Sequence, residues 1–233
     1  MTAITLEICV ESFDDALIAV AHGADRIEYC SALAVGGLTP TPGAMMRLRD
    51  VPAPCMVMIR PRPGDFVYGV QDIHMMRDEI ALARDAGAAG VVFGATDANG
   101  ALDADHLDML CQSAAGLEKI LHRAFDGTPD PYVALETAID LGFDRILTSG
   151  QQADAVQGAA LIAGLITRAA GRIGILPGCG VGPDNAAMIL RQTGATQIHA
   201  SCKRRVDGDG YAAGRTAVDG DLVRTLRSSF PSV

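Results

Sequence analysis

Residues 23–27, Gly-Ala-Asp-Arg-Ile, and residues 142–146, Gly-Phe-Asp-Arg-Ile, are two copies of one junction. Residues 87–91 (GAAGV) and 194–198 (GATQI) repeat its spacing: a glycine, three further residues, then isoleucine or valine. A glycine just past a helix adopts the left-handed conformation at low steric cost, and the β-branched residue then starts a strand. The four copies predict repeated units in which a helix leads into the next strand.

Short β-branched runs alternate with alanine-rich stretches of helical periodicity along the chain. We predict strands at residues 4–9, 25–30, 55–60, 89–94, 118–123, 143–148, 172–177 and 196–201. We predict helices near residues 12–22, 41–50, 71–86, 103–114, 130–141, 153–170, 183–193 and 219–229. One helix after each strand implies a parallel sheet with right-handed crossovers. Eight such units predict an α/β fold, a (β/α)8 TIM-like barrel forming one domain over residues 1–233, with a doubly wound open sheet as the alternative.

The overall composition excludes several classes of protein. The chain has 233 residues, 49% of them hydrophobic, and a net charge of −9, which suits a folded core and argues against general nucleic-acid binding. No apolar run approaches the roughly 18 residues of a membrane span, and the start, MTAITLEICV, is unlike a signal peptide. The six cysteines include no CxxC pair, which favours reduced thiols. We therefore expect a cytoplasmic protein with no membrane or nucleic-acid partner, and a homo-oligomer because symmetric assembly is common.

Polar side chains concentrate at the carboxyl ends of the predicted strands, where TIM barrels hold their functional residues. Glu7 and Cys9 share one face of the first strand, and Glu28 and Cys30 share one face of the second. A carboxylate in the helix layer would be buried without a partner, so these glutamates, and with them the cysteines, are expected to face the lumen. Neighbouring strands lie about 4.8 Å apart, so Cys9 and Cys30 can meet one soft ion such as Cu(I). Both cysteines can equally be small core residues.

The same strand ends offer residues for acid–base chemistry. Glu7, Glu28 and His122 can act as catalytic proton donors and acceptors, or they can neutralise charges across the lumen. Arg60 and Arg62 can grip an anion, or they can join the same internal ion pairs. These alternatives are open at the level of the sequence.

A glycine-rich turn follows the seventh predicted strand. Gly178 and Gly180 lie in this turn, and Ser201 follows the eighth strand. Phosphate sites in such barrels use backbone N–H groups after strands seven and eight, so these residues predict an anion site. The alternative is a tight turn that needs glycine. His199 ends the eighth strand and is, with His122, a candidate functional histidine.

Eight segments, in order over about residues 4–205, carry a resemblance to a known family. They are LEICV (6–10), GADRIEYCSALAVGGLTP (23–40), VMIRPRPGDFVY (57–68), GVVFG (90–94), HRAFD (122–126), DRILTSG (144–150), LPGCGV (176–181) and IHAS (198–201). These segments resemble the CutC copper-homeostasis family. The resemblance implies a TIM-barrel-like fold, a cytoplasmic location and the handling of Cu(I). It also places Cys9 and Cys30 at the positions of the suggested copper ligands.

The chain departs from the family pattern at two glycine positions, where it has Gln151 and Cys179. Both departures lie in the loops of the predicted anion site. We therefore expect a cytosolic copper-homeostasis protein that binds Cu(I) through its strand-end cysteines. The alternative function is a TIM-barrel enzyme that acts on a small anionic substrate, such as a phosphorylated one.

Overall fold

The computed structural model describes residues 4–207, 209–210 and 214–231. Eight parallel strands form the barrel wall: β1 (Thr5–Val10), β2 (Arg26–Tyr29), β3 (Cys55–Met58), β4 (Gly90–Phe93), β5 (Glu118–Leu121), β6 (Arg145–Thr148), β7 (Gly174–Pro177) and β8 (Gln197–Ala200). The helices are α1 (Phe13–Ala21), α2 (Pro42–Met45), α3 (Val70–Ala86), α4 (Ala104–Ser113), α5 (Pro131–Asp140), α6 (Ala159–Ala169), α7 (Ala186–Thr193) and α8 (Gly220–Ser228). The strand order runs from β7 down to β1 and then to β8, and β7 and β8 touch, so the barrel is nearly closed. The predicted (β/α)8 fold is confirmed.

The repeated junction ends four of the helices, α1, α3, α5 and α7, as predicted. Its four glycines have φ angles of 114°, 91°, 75° and 73° at Gly23, Gly87, Gly142 and Gly194. A side chain is strained in this left-handed region, which explains why the junction uses glycine.

The aspartate and arginine of the Gly-x-Asp-Arg-Ile junctions link neighbouring strands. Asp25 Oδ2 accepts a hydrogen bond of 2.8 Å from the N–H of Leu6, and Asp144 Oδ2 accepts one of 2.8 Å from the N–H of Lys119. Each following arginine pairs with a carboxylate of the preceding strand, forming the ion pairs Arg26–Glu7 and Arg145–Glu118. The motif therefore joins each new strand to its neighbour through a main-chain hydrogen bond and a side-chain ion pair.

Side chains of the wall alternate between two cores. One core lies between the strands and the surrounding helices. The other fills the lumen and contains Cys30, Met56, Met58, Val92, Ile120, Leu147 and Leu176. In the ladder, Glu28 lies beside Met56 and Cys9 lies beside Glu28, so all three face the lumen. None of the helices in the described ranges is long and apolar enough to cross a membrane.

Three predicted helices differ from the observed ones. The helix predicted at 41–50 is a short α2 followed by a 3-10 turn, Leu48–Asp50. The helix predicted at 153–170 begins only at Ala159. The preceding residue, Gly158, packs against the Ser149 carbonyl, and a Cβ on Gly158 would lie 1.8 Å from the Ser149 oxygen. The helix predicted at 183–193 begins at Ala186.

An antiparallel hairpin separates β8 from the last helix and was not predicted. Its strands are β9 (Lys203–Arg205) and β10 (Thr216–Val218). The hairpin is anchored at its base, where the N–H of Val218 donates to Asp15 Oδ1 at 2.9 Å. It adds Lys203 and Thr216 to the carboxyl face of the barrel, which is where the candidate site lies.

Candidate functional site

Cys9, Glu28 and His199 form a buried group at the carboxyl ends of three neighbouring strands. One ligand atom from each residue lies within 4.8 Å of the others. The strand register explains this proximity, since Cys9 is paired with Glu28 and Glu7 with His199 across the ladders. A thiol, a carboxylate and an imidazole are all residue types that ligate metal ions.

Glu7 fixes the orientation of this group. Its Oε2 accepts a hydrogen bond of 2.5 Å from Arg26 Nε, and its Oε1 lies 2.8 Å from Nδ1 of His199. Arg26 also donates to Gln197 Oε1 at 3.0 Å. Burial raises the pKa of Glu7, but the hydrogen bond of His199 and the charge of Arg26 outweigh burial and lower this pKa from 4.5 to about 2. Glu7 is thus a permanent carboxylate that positions the imidazole.

Glu28 faces the other nitrogen of the same imidazole. His199 Nε2 lies 3.9 Å from Glu28 Oε2, whereas Glu28 Oε1 has no hydrogen-bond partner among the described residues. Burial raises the pKa of Glu28, and the charge of Glu7 adds to that rise while His199 opposes it. Burial lowers the pKa of His199, but the charges of Glu28 and Cys9 raise it well above 6.5. Glu28 and His199 therefore form a coupled pair, in which the negative charge of the carboxylate favours the proton on the imidazole.

Cys30 reaches the group through Glu28. Its Sγ donates to Glu28 Oε2 at 3.4 Å. The sequence placed Cys9 and Cys30 at one level of the barrel, but the stagger of the strands sets Cys9 level with Glu28 instead. Burial raises the pKa of the Cys30 thiol well above 9, and the charge of Glu28 adds to this rise. Glu28 is thus the neighbour that the two cysteines predicted to share an ion have in common.

The two predicted anion-binding arginines lie in different settings. Arg60 is buried, and its guanidinium donates to the backbone carbonyls of Val35, Gly37 and Gly64. Its Nε has no partner among the described residues. Arg62 instead forms ion pairs with Asp65 and Asp72. Its guanidinium also lies over the Tyr68 ring. Arg62 therefore stabilises the loop after β3 and does not line either cavity of the site.

His122 caps the 3-10 helix Arg123–Gly127 that replaces the predicted end of the fifth strand. Its Nδ1 accepts a hydrogen bond of 3.2 Å from the N–H of Ala124, and its ring packs on Phe66 at 4.6 Å between centroids. Burial and the charge of Arg60 lower the pKa of His122 to about 3, so the ring is neutral. His122, which follows β5, lines one cavity together with Glu28 of β2.

Two cavities open at this face of the barrel. The larger cavity, of about 830 Å³, is lined by residues that include Cys9, Arg123, His199, Ser201 and Lys203. The smaller cavity, of about 250 Å³, is lined by residues that include Cys9, Glu28, Arg60, Phe66, His122 and His199. The buried group of Cys9 and His199 thus lies where the two cavities meet.

The predicted anion loop borders the larger cavity only in part. Gly180 and Ser201 line it. The N–H of Gly178, however, donates to the carbonyl of Thr148 at 3.0 Å, so this donor is not available to an anion. A Cβ at Gly178 would lie 2.6 Å from Leu147, and this packing accounts for the glycine.

Arg26 is a member of the site that was not predicted from the sequence. Arg26 lies two residues before Glu28, so strand periodicity places both side chains on one face. That signal was available in the junction motif, where the arginine follows the aspartate in both copies.

Comparison with known proteins gives consistent matches over most of the chain. The family model described as CutC family matches residues 4–204. A CutC family protein of Sinorhizobium medicae is 46% identical over 241 residues, covering 100% of this chain and 98% of that protein. A CutC family protein of Caulobacter vibrioides is 46% identical over 205 residues, covering 88% of this chain and 84% of that protein.

Solved structures show the same relationship. A structure from Streptococcus agalactiae, named as a copper homeostasis protein CutC, superposes with a TM-score of 0.79 at 31% identity, covering 84% of this chain and 97% of that one. The thiamine phosphate pyrophosphorylase of Pyrococcus furiosus, with a TM-score of 0.61 at 14% identity over 97% of this chain and 95% of that one, shares the fold alone. From the sequence match, the family model and the barrel geometry together, the chain belongs to the CutC family.

Proposed function

We propose that the chain is a copper-homeostasis protein that holds Cu(I) at the strand ends of its barrel, with Cys9 and Cys30 as thiolate ligands. The observation that carries the proposal is the buried group of Cys9, Glu28 and His199, with Cys30 bonded to Glu28. The relative from Streptococcus agalactiae is named as a copper homeostasis protein, which supports the same reading.

The donor set suits a soft ion. Cu(I) prefers thiolate and imidazole ligands over carboxylates. Cys9 and Cys30 supply the sulfur atoms, and His199 can supply Nε2 because its Nδ1 is held by Glu7. Burial raises the pKa of Cys30, so the ion must displace a proton when it binds there. Cu(I) affinity should therefore increase with pH.

An anaerobic competition titration with a Cu(I) chelator tests this proposal. The proteins are the wild type, Cys9→Ser, Cys30→Ser, the double variant and Cys111→Ser, a buried cysteine on α4 that serves as the matched control. We expect one tightly held ion per chain in the wild type and the control, and at least a tenfold loss of affinity in each strand-end variant. Binding that is indifferent to both strand-end changes would exclude these ligands.

We further propose that the protein works in the cytoplasm. All six cysteines are free thiols, and Cu(I) is the reduced form of the ion, so both suit a reducing compartment. Fractionation of cells producing the chain checks the location, and recovery outside the cytoplasmic fraction would contradict it.

A second candidate function is acid–base catalysis on a small anion. The observation that favours it is the contact of Glu7, His199 and Glu28 at the carboxyl ends of the strands, beside the larger cavity. Enzymes of this fold hold their catalytic residues at that face. In this function Glu28 and His199 exchange protons with the substrate, while Glu7 keeps the imidazole oriented.

Proton exchange at carbon provides a test that needs no knowledge of the reaction. The metal-free chain is incubated in D2O with small carboxylates and phosphate esters, and loss of carbon-bound protons is followed by NMR. Exchange that stops in Glu28→Gln but continues in Cys111→Ser would support catalysis. No exchange with any compound would count against it.

A further inference from the structure

Three of the residues that line the smaller cavity each carry a buried polar atom without a hydrogen-bond partner. Among the described residues these atoms are Glu28 Oε1, Arg60 Nε and His122 Nε2. All three residues are at least nine-tenths buried, and all three line this cavity. Leaving a buried polar group without a partner is costly, so three such groups on the lining residues of one cavity favour an occupant that offers both hydrogen-bond acceptors and a donor.

Arg60 gives the charge of that ligand. Its guanidinium is buried and bonds only to neutral backbone carbonyls, and no carboxylate of the described residues pairs with it. Buried charges in proteins are normally compensated by an opposite charge. The uncompensated cation therefore favours an anion in the cavity.

His122 gives a second hydrogen-bond donor. Its Nδ1 accepts from the N–H of Ala124, so in the neutral ring the hydrogen is on Nε2. Both His122 and Arg60 pack against Phe66, with the His122 ring at 4.6 Å and the Arg60 guanidinium at 5.0 Å from its centroid. The two donors thus contact the same aromatic ring, and both residues line the smaller cavity together with Glu28.

We propose that the smaller cavity binds a small hydroxycarboxylate, whose carboxylate accepts from Arg60 Nε and His122 Nε2 and whose hydroxyl donates to Glu28 Oε1. This proposal deepens the second candidate function by naming its ligand class, and it does not depend on copper. Two donors match the two oxygens of a carboxylate, whereas a phosphate would leave an anionic oxygen unpaired. The volume of about 250 Å³ lies below that of pockets for drug-sized ligands, about 300–1,000 Å³, and suits a molecule of a few carbons.

Calorimetric titration of the metal-free full chain tests the ligand class. The probes are glycolate, L-lactate, D-glycerate and L-malate. Two probes are matched to lactate: propionate lacks the hydroxyl, and lactamide lacks the charge. Glycerol 3-phosphate represents phosphate esters. We expect at least one hydroxycarboxylate to bind saturably, with its matched probe about tenfold or more weaker.

Two substitutions of His122 separate its contact in the cavity from its role as a helix cap. His122→Asn keeps an acceptor near Nδ1 for Ala124 but removes the donor at Nε2, so we expect about tenfold weaker binding. His122→Gln places an amide near Nε2 and should keep most of the binding. His74→Asn, on the exposed face of α3, is the matched control. Arg60→Lys removes the Nε donor but keeps the charge, and provides a second variant if His122→Asn fails to fold.

Several results would overturn the proposal. They are the absence of binding by every hydroxycarboxylate, stronger binding of glycerol 3-phosphate, or equal binding by the wild type and each folded cavity variant. Binding without proton exchange would retain this site and remove catalysis. Exchange without hydroxycarboxylate binding would retain catalysis and remove the ligand class.

Discussion

At the scale of single residues, His122 makes the stability of the protein depend on pH. Burial, with the charge of Arg60, lowers its pKa from 6.5 to about 3. The unfolded chain therefore binds a proton below pH 6.5 that the native state does not bind until about pH 3. The contribution of the neutral ring is fully present above pH 6.5 and is lost as the pH falls toward 3.

The variant His122→Asn has no such group, so its stability should fall less steeply in acid. We expect the difference in unfolding free energy between the wild type and this variant to shrink by about 1.4 kcal/mol for each pH unit below 6.5. Urea unfolding of both proteins from pH 7.5 to 4.5 measures the difference. A constant gap across that range would show that His122 titrates normally.

The residue scale also shows which parts of the site the sequence could predict. The cost of an unpaired carboxylate was enough to place Glu7 and Glu28 in the lumen. The pairing of Cys9 with Glu28 was not predictable, because it depends on the stagger between β1 and β2. Stagger arises from the closure of the whole barrel and leaves no mark in either strand's own sequence.

At the scale of elements, the aspartate of the junction stabilises the start of the preceding strand. Asp25 accepts from the N–H of Leu6 and also pairs with Arg227 of α8 at 2.7 Å. The ion pair with Arg227 is exposed and contributes little to stability. The loss of stability on removing Asp25 therefore comes mainly from the Leu6 N–H, which is left without its partner. We expect Asp25→Ala to lower the unfolding free energy by about 1–3 kcal/mol.

Urea unfolding at neutral pH, with Asp184→Ala on the exposed surface as the control, checks this prediction. Asp144→Ala at the second junction should give a loss of similar size, because its bond to the Lys119 N–H has the same length of 2.8 Å. Losses no larger than that of the control would show that the junction acts through its glycine alone.

The elements that the sequence mispredicted have two physical causes. Residues 153–158 have helical periodicity, yet the chain there folds back so that the N–H of Ala155 donates to the carbonyl of Cys179. Contacts between loops, rather than local preference, decide where α6 begins. The hairpin of β9 and β10 was not predicted because each of its strands has only three residues. Three residues are too few to show the alternation of polar and apolar side chains that is typical of a strand.

At the scale of the whole molecule, the barrel brings its two proposed ligands together. The count of βα units predicted the closed architecture, and the junction repeated in four of the units marks where a helix leads into the next strand. The convergence of β8, β1 and β2 on one buried group follows only from closure, which makes β8 a neighbour of β1. Cu(I) and the hydroxycarboxylate would both use this convergence point, since Cys9 lines the smaller cavity together with Glu28.

Shared residues imply that the two ligands oppose each other. An ion on Cys9 and Cys30 lies beside Glu28, because Cys9 is paired with Glu28 and Cys30 donates to it. Its positive charge reduces the capacity of that carboxylate to accept a hydroxyl proton. We expect saturating Cu(I) to weaken binding of the preferred hydroxycarboxylate by about fivefold or more, and the acid to weaken Cu(I) binding by the same factor. Calorimetry of the copper-loaded and metal-free chains measures how much Cu(I) weakens binding of the acid. Chelator competition with and without the acid measures how much the acid weakens binding of Cu(I). Equal factors above one would establish one coupled site, whereas factors of one in both directions would mean that the lumen holds two independent sites.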